Sequence, residues 1–306
     1  MARTTLILGA GASYPYRFPT SRELNEIIIG SNVGALTAIR ERLGHEIDWL
    51  DAARTLSDSN YYHPNFDDFR QAFAQSASHS IDLFVQARAR EYEQYQAQIA
   101  VAAIFLCCET EATLQVEDWY RQLWNEVLRQ GGRNIPPNQL SVITFNYERS
   151  LEHYLAHKAK AAFGLGSLEN AHQWLSRIPI THVYGQLGSL SRSPLPDFIP
   201  FGNMYGDNVW KAAGKLRLAD PRSGGAEGAW SECLSHAENI FFLGFGFWPE
   251  NLALLRGFIP NFASVFASAF GLSEKDKRRV SKELPSLQWG EPQWTTLDCL
   301  NNWSLF

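Results

Sequence analysis

Apolar residues gather in five short runs: TTLIL (4–8), LSVITF (140–145), PITHVY (179–184), NIFFLGF (239–245) and ASVFASAF (263–270). A short, nearly unbroken apolar run closed by turn residues marks a strand buried on both faces, as in a parallel sheet. Helical spacing follows three of the runs, in LEHYLAHKAKAAF (151–163), ENLALLRGF (250–258) and SEKDKRRVSKEL (273–284). In the last of these, Ser273 and Asp276 stand at capping spacing. Strands alternating with helices predict an α/β fold, a parallel sheet with helices on both faces.

Residues from about 31 to 134 break this alternation and are almost all helix-compatible. Phe66, Phe69 and Phe73 recur at helical spacing in a run that holds no glycine. In VEDWYRQLWNEVLRQGG (116–132), Trp119, Leu123, Trp124 and Val127 form one stripe that ends at a glycine stop. The first strand–helix unit is thus separated from the rest of the sheet by a helical insertion. DPRSGGAEGAW (220–230) reads as an exposed loop.

The stretch ILGAGASYPYRFPTSREL (7–24) carries the first chemical signal. Gly9, Ala10 and Gly11 follow a strand directly, where a tight turn brings backbone N–H groups to a pyrophosphate. A hydride-transfer fingerprint needs a third glycine at position 14, and Tyr14 stands there. Pro15 and Pro19 then delay the helix until Thr20, whose hydroxyl caps it while Glu23 reaches back. No acidic residue closes a second strand to read a ribose diol. A dehydrogenase is therefore disfavoured, and a site that holds a dinucleotide and covers one end of it fits better. Ser13 has two readings, a phosphate or ribose contact and a turn-stabilising hydroxyl.

Ligands of open α/β sheets sit at the carboxyl ends of the strands. Asn146 follows the second strand, Tyr184 and Gly185 end the third, and Gly244, Phe245, Gly246 and Phe247 end the fourth. These residues converge on one edge. Taken alone, the glycine turn has a second reading, a tight strand–loop connection that binds nothing.

Charge and composition narrow the function classes. A net charge of −5 argues against a primary nucleic-acid binder, and KDKRR (275–279) reads as the solvated side of a helix. The four cysteines form no CxxC pair, which points to no disulfide framework and a cytoplasmic protein. The longest apolar run, 99–108, has about half the roughly twenty residues a bilayer requires, so no membrane partner is expected. His153 and His157 share a helix face at a spacing that suits zinc, but Tyr154 replaces the glutamate of the metalloprotease motif and no third ligand is evident. Asp67 and Asp68 diverge on a helix, and Asp67 suits its first turn.

Six segments in order resemble the sirtuin-like NAD hydrolase family of bacterial anti-phage defence: GAGAS…FPTSREL, NFDDF, TFNYERSLE, THVYGQLGSL, FLGFGFWPENLALL and FASAFGLSEKD. The resemblance implies a single domain over 1–306, with a Rossmann-like core (1–30 and 135–306) and the helical insertion at 31–134. It implies NAD as substrate, cleaved to nicotinamide and ADP-ribose, with activity triggered through a companion defence protein or a homo-oligomer. Gly9, Gly11 and Ser13 would then cradle phosphates, and Asn146 would position ribose or water. A histidine at the end of the third strand would act as general base. The family places that histidine immediately before the glycine, where this chain has Tyr184; the nearest histidine is His182. Two residues apart on a strand, they are expected to share a face, about 6–7 Å apart. His182 is either the base or a satisfied core histidine. Glu148 stands where the family tends to have aspartate, and the paired cysteines of a deacetylase zinc module are absent, so no metal is expected. The alternative is a catalytically impaired NAD- or ADP-ribose-binding sensor or scaffold, or a helical interaction protein with a purely structural sheet.

Overall fold

A computed structural model describes residues 2–30, 32–44, 49–51, 53, 66–88, 90–192, 195–205, 207–223 and 226–306. Asn65 of NFDDF, Gly224, Gly225 and parts of the 31–134 segment lie outside the described residues. The stretch 220–230, expected as an exposed loop, instead enters the helix Ala226–Ser235, where Trp230 is fully buried in the apolar core. Six strands form one sheet: β1 (Thr4–Leu8), β2 (Leu140–Thr144), β3 (Ile180–His182), β4 (Asn239–Leu243), β5 (Ser264–Ala267) and β6 (Leu287–Trp289). Every pairing is parallel, and the spatial order is β3-β2-β1-β4-β5-β6. This is the order of a Rossmann-like sheet, which the chain winds outward from β1 first on one side and then on the other.

The central strands follow from their sequence. Leu6 and Ile7 of β1 lie in register with Val142 and Ile143 of β2 and with Phe241 and Phe242 of β4, and all six are fully buried. Helices on both faces leave no solvated side, so polar alternation would bury unpaired groups. The sixth strand escaped the apolar pattern because it lies at the edge. There Leu287 is buried, Gln288 exposed and Trp289 half-buried.

β1 matches its apolar run, while β2 to β5 are shorter than theirs, and this corrects one expectation. β3 stops at His182, where Gly185 N–H donates to the His182 carbonyl (3.2 Å) and closes a turn through Val183 and Tyr184. Strand alternation does not reach Tyr184, so it and His182 do not share a face for that reason.

Between β1 and β2 the described chain is helical: Ser21–Ile29, Val33–Leu43, Phe66–Ser76, Ile81–Arg88, Glu91–Cys108 and Trp119–Arg129, with short 3-10 turns. Thr20 caps the first of these, and Glu23 completes the capping box. The apolar run at 99–108 is a core helix, buried from Ile99 to Leu106. No described helix is long and apolar enough to cross a membrane. One apolar core extends from the sheet into these helices.

The aromatic loop after the glycine turn makes that junction. Ala10–Ser13 forms a single helical turn and Tyr14–Tyr16 a 3-10 turn, and Arg17 takes a left-handed φ of 63°. Tyr16 stacks on Tyr120 (3.7 Å between centroids), and its phenol oxygen accepts Tyr120 N–H at 2.7 Å. Phe18 stacks on Phe105, and Trp119 Nε1 donates to the Ala12 carbonyl (2.7 Å). The loop thus anchors the glycine turn to two insertion helices.

Candidate active site

A cavity of about 260 Å³ opens at the carboxyl ends of β1, β2 and β4. It lies at the boundary between the paired strands β1 and β4, where the strand order reverses, the switch point at which open α/β sheets place their ligands. Gly9, Ala10, Gly11, Ser13, Asn146, Tyr184, Gly244, Phe245 and Gly246 all line it. Gly185 and Phe247 do not. A Cβ on Gly185 would lie 2.2 Å from the Lys215 carbonyl oxygen, so that glycine lets the following segment pack. Phe247 is fully buried between Phe242, Phe245 and Trp289.

The glycines serve first to bring two turns together. Gly11 N–H donates to the Gly244 carbonyl (3.0 Å) and Gly9 N–H to that of Leu243 (3.1 Å). A Cβ on Gly9 would sit 2.5 Å from Gly244 O, and one on Gly244, whose φ is +58°, 2.0 Å from Ala12 N. Gly9, Gly11 and Ala12 N–H groups are spent on the protein itself. The turn thus shapes one wall of the cavity, with fewer free donors than the sequence implied. Gly244→Ala is expected to cost about 3 kcal/mol or more of folding stability, through the clash and the left-handed backbone. Urea unfolding measures it, and a loss below about 0.5 kcal/mol would contradict this packing.

Asn146 is held rigidly. Its Nδ2 donates to the Gly9 carbonyl (3.1 Å) and to Ser13 Oγ (2.8 Å). Its Oδ1 meets no donor among the described residues, and Asn146 lines the cavity. Ser13 Oγ in turn donates to Glu148 Oε1 (2.6 Å), and Glu148 Oε2 accepts from Ser150 N–H (2.6 Å) and from the Ser150 hydroxyl. Burial pushes the Glu148 carboxyl upward, against the hydrogen bonds from Ser13 and Ser150. Glu148 therefore acts on the cavity through Ser13 and Asn146, both of which line it.

His182 does not line the cavity. Its Nδ1 lies 2.9 Å from the Asn146 carbonyl and its Nε2 2.6 Å from Glu152 Oε1. Both partners are acceptors, so the ring satisfies both only as an imidazolium. Burial disfavours that cation, but the Glu152 charge and hydrogen bond, with the Asn146 carbonyl, raise its pKa above the ordinary 6.5. Its stabilisation is complete below the unfolded value and is lost as pH rises through the elevated folded one. The stability gap between the native chain and His182→Gln should therefore be wider at about pH 6 than at about pH 9. Urea titrations at both pH values check this, and a gap that widens toward alkaline pH would contradict it.

Sequence reasoning missed the cavity's acids. Asp82, from the first turn of the helix Ile81–Arg88, and Glu250, from the helix Pro249–Leu255, both line it. Burial raises the Asp82 carboxyl to about 6, while a hydrogen bond from the Tyr147 phenol opposes the shift and the Glu250 charge adds to it. Tyr184 donates its phenol proton to Asn251 Oδ1 (2.7 Å), and burial holds that phenol well above its usual pKa. Trp248, on the cavity wall, stacks on His79 (5.1 Å). Asn25 donates to the His79 carbonyl (2.8 Å), and its buried Oδ1 finds no donor among the described residues.

No family model matches the chain, and no curated protein matches it significantly. The geometry therefore stands on its own. Its outer support is an ion pair two residues beyond Tyr147. Arg149 Nε and Nη2 grip Glu109 Oε1 (3.0 Å) and Oε2 (2.5 Å), with both side chains essentially buried. Arg149 Nη1 also donates to the Ile199 carbonyl (2.7 Å). The pair ties the end of the helix Glu91–Cys108 to the start of the helix Ser150–Ala162, just past Asn146. The His153–His157 pair lies on that second helix, and the fold brings Glu111 to it (2.6 Å from His153 Nε2).

Proposed function

We propose that this chain is an NAD hydrolase of the sirtuin-like type, cleaving the nicotinamide–ribose bond to release nicotinamide and ADP-ribose. One observation carries the reading: the free Oδ1 of Asn146 and the carboxyl of Asp82 share a cavity at the switch point of a Rossmann-like sheet. The bond to nicotinamide breaks heterolytically, and the electron pair leaves with a ring that becomes neutral. The ribose carbon is left with oxocarbenium character, as in other glycoside cleavage. Ionised Asp82, with Glu250 beside it, faces that positive charge. Water adds at the carbon and gives up a proton, which Asp82 accepts. Asn146 Oδ1 holds the water or a ribose hydroxyl, and Tyr184 lines the same wall. His182 is a positioning residue, fixing the backbone of Asn146 rather than acting as base. An anti-phage role, triggered through a companion protein or a homo-oligomer, extends this reading by the resemblance of the motifs.

Incubating the full chain with NAD and following nicotinamide tests the reading, alone and with neighbouring gene products co-expressed. The native chain is expected to release nicotinamide, and Asn146→Ala to lose most of that rate. A second reading, an NAD- or ADP-ribose-binding sensor, is favoured by one feature: both His182 ring nitrogens are occupied by protein. Tight NAD binding without turnover under every condition would select the sensor.

A further inference from the structure

We propose that Glu111, His153 and His157 form a binding site for a divalent metal ion of the zinc class, independent of the cavity. Two histidines one turn apart on the helix Ser150–Ala162 present imidazoles to the same side. Glu111 arrives from the 3-10 turn Glu111–Gln115. The three ligand atoms lie within 4.8 Å of one another, the one such group among the described residues. Two imidazoles and a carboxylate are a zinc ligand set, leaving a fourth position for water.

The rings are already oriented. His153 stacks on Phe201 (4.0 Å, 14°) and packs against His157 (4.3 Å). Its Nε2 meets Glu111 Oε1 at 2.6 Å, so a proton now bridges two of the three ligands where a metal would bind both. Metal–ligand bonds of about 2.0–2.2 Å set tetrahedral ligands roughly 3.3 Å apart. Moving the exposed Glu111 and His157 side chains by about two ångströms or less meets that spacing. Glu111 and His157 are exposed, which gives the ion an entry path. Lys158 is drawn aside onto the Tyr154 ring (5.0 Å), and Lys160 and His172 line the neighbouring hollow.

The bound ion would clamp the segment after Glu109 to the helix that starts beside Arg149, in parallel with the buried ion pair. It would therefore stabilise the fold whether or not the cavity turns over NAD.

The test uses the full chain after chelator treatment, titrated with Zn2+ by calorimetry and with Co2+ by visible absorption. The expected result is one saturable site with micromolar or tighter affinity, the d–d absorption of low-coordinate cobalt with nitrogen and oxygen ligands, and a higher Tm with metal. His157→Gln and Glu111→Gln, both at exposed side chains, should keep the metal-free Tm and weaken binding at least tenfold. No saturable binding, or binding that both variants retain, would overturn the proposal. Thiolate charge-transfer bands would place the ion on cysteine and overturn it equally.

Discussion

Asparagine in place of Asp82 is expected to slow nicotinamide release by about a hundred- to ten-thousand-fold. The substitution keeps the shape and removes the charge proposed to face the ribose carbon. The loss should fall on kcat, because the oxocarbenium character develops only on the way to the transition state. The proposed working form is the carboxylate, and burial raises its pKa to about 6. The native rate should therefore rise with pH through that value and level off above it, and Asp82→Asn should abolish the rise. Tyr147→Phe removes the phenol that stabilises the carboxylate, so the rise should move to higher pH. A rate indifferent to Asp82→Asn would remove this residue from the chemistry.

Arg149→Met should lower folding stability by about 3–5 kcal/mol. It leaves the buried Glu109 carboxylate without its counter-charge and the Ile199 carbonyl without a donor. Glu109 also accepts from Gly202 N–H (3.0 Å) and Arg149 N–H (3.1 Å), so part of its solvation survives in the fold. The double change Arg149→Met with Glu109→Leu should recover a good part of the loss, since no charge is then stranded. Urea unfolding of the two single variants and the double one measures the coupling. Losses that simply add would show that the two groups are not energetically linked.

The sheet was legible where burial was complete. β1, β2 and β4 are central, so their side chains carry an unbroken apolar signal. β6 was hidden because an edge strand of three residues with an exposed Gln288 carries almost none. The Thr20 cap and the Trp119–Val127 stripe were readable, being local and periodic. The relation of His182 to Tyr184 was not, because the turn closed by Gly185 depends on the Lys215–Leu216 segment packing against it.

The site was half legible for a similar reason. Strand ends announce themselves, so Gly9, Asn146, Tyr184 and Gly244 could be placed together. Asp82 stands in the first turn of an insertion helix, where an acidic residue normally serves the helix dipole. Nothing local separates the two roles; only the folded insertion brings Asp82 to Tyr147. The aromatic loop divides its residues. Tyr16 is buried against Tyr120, whereas Phe18, stacked on Phe105, and Pro19 also line the cavity. Glu111 joins His153 and His157 across about forty residues of sequence, beyond the reach of any spacing rule.

The most direct measurement is a crystal structure of the full chain soaked in NAD. The expected result is a dinucleotide with its diphosphate against the Gly9–Ser13 and Gly244–Gly246 turns, and its nicotinamide ribose within hydrogen-bond reach of Asn146 Oδ1 and Asp82. An empty cavity at saturating NAD, or a dinucleotide bound away from these two turns, would contradict it.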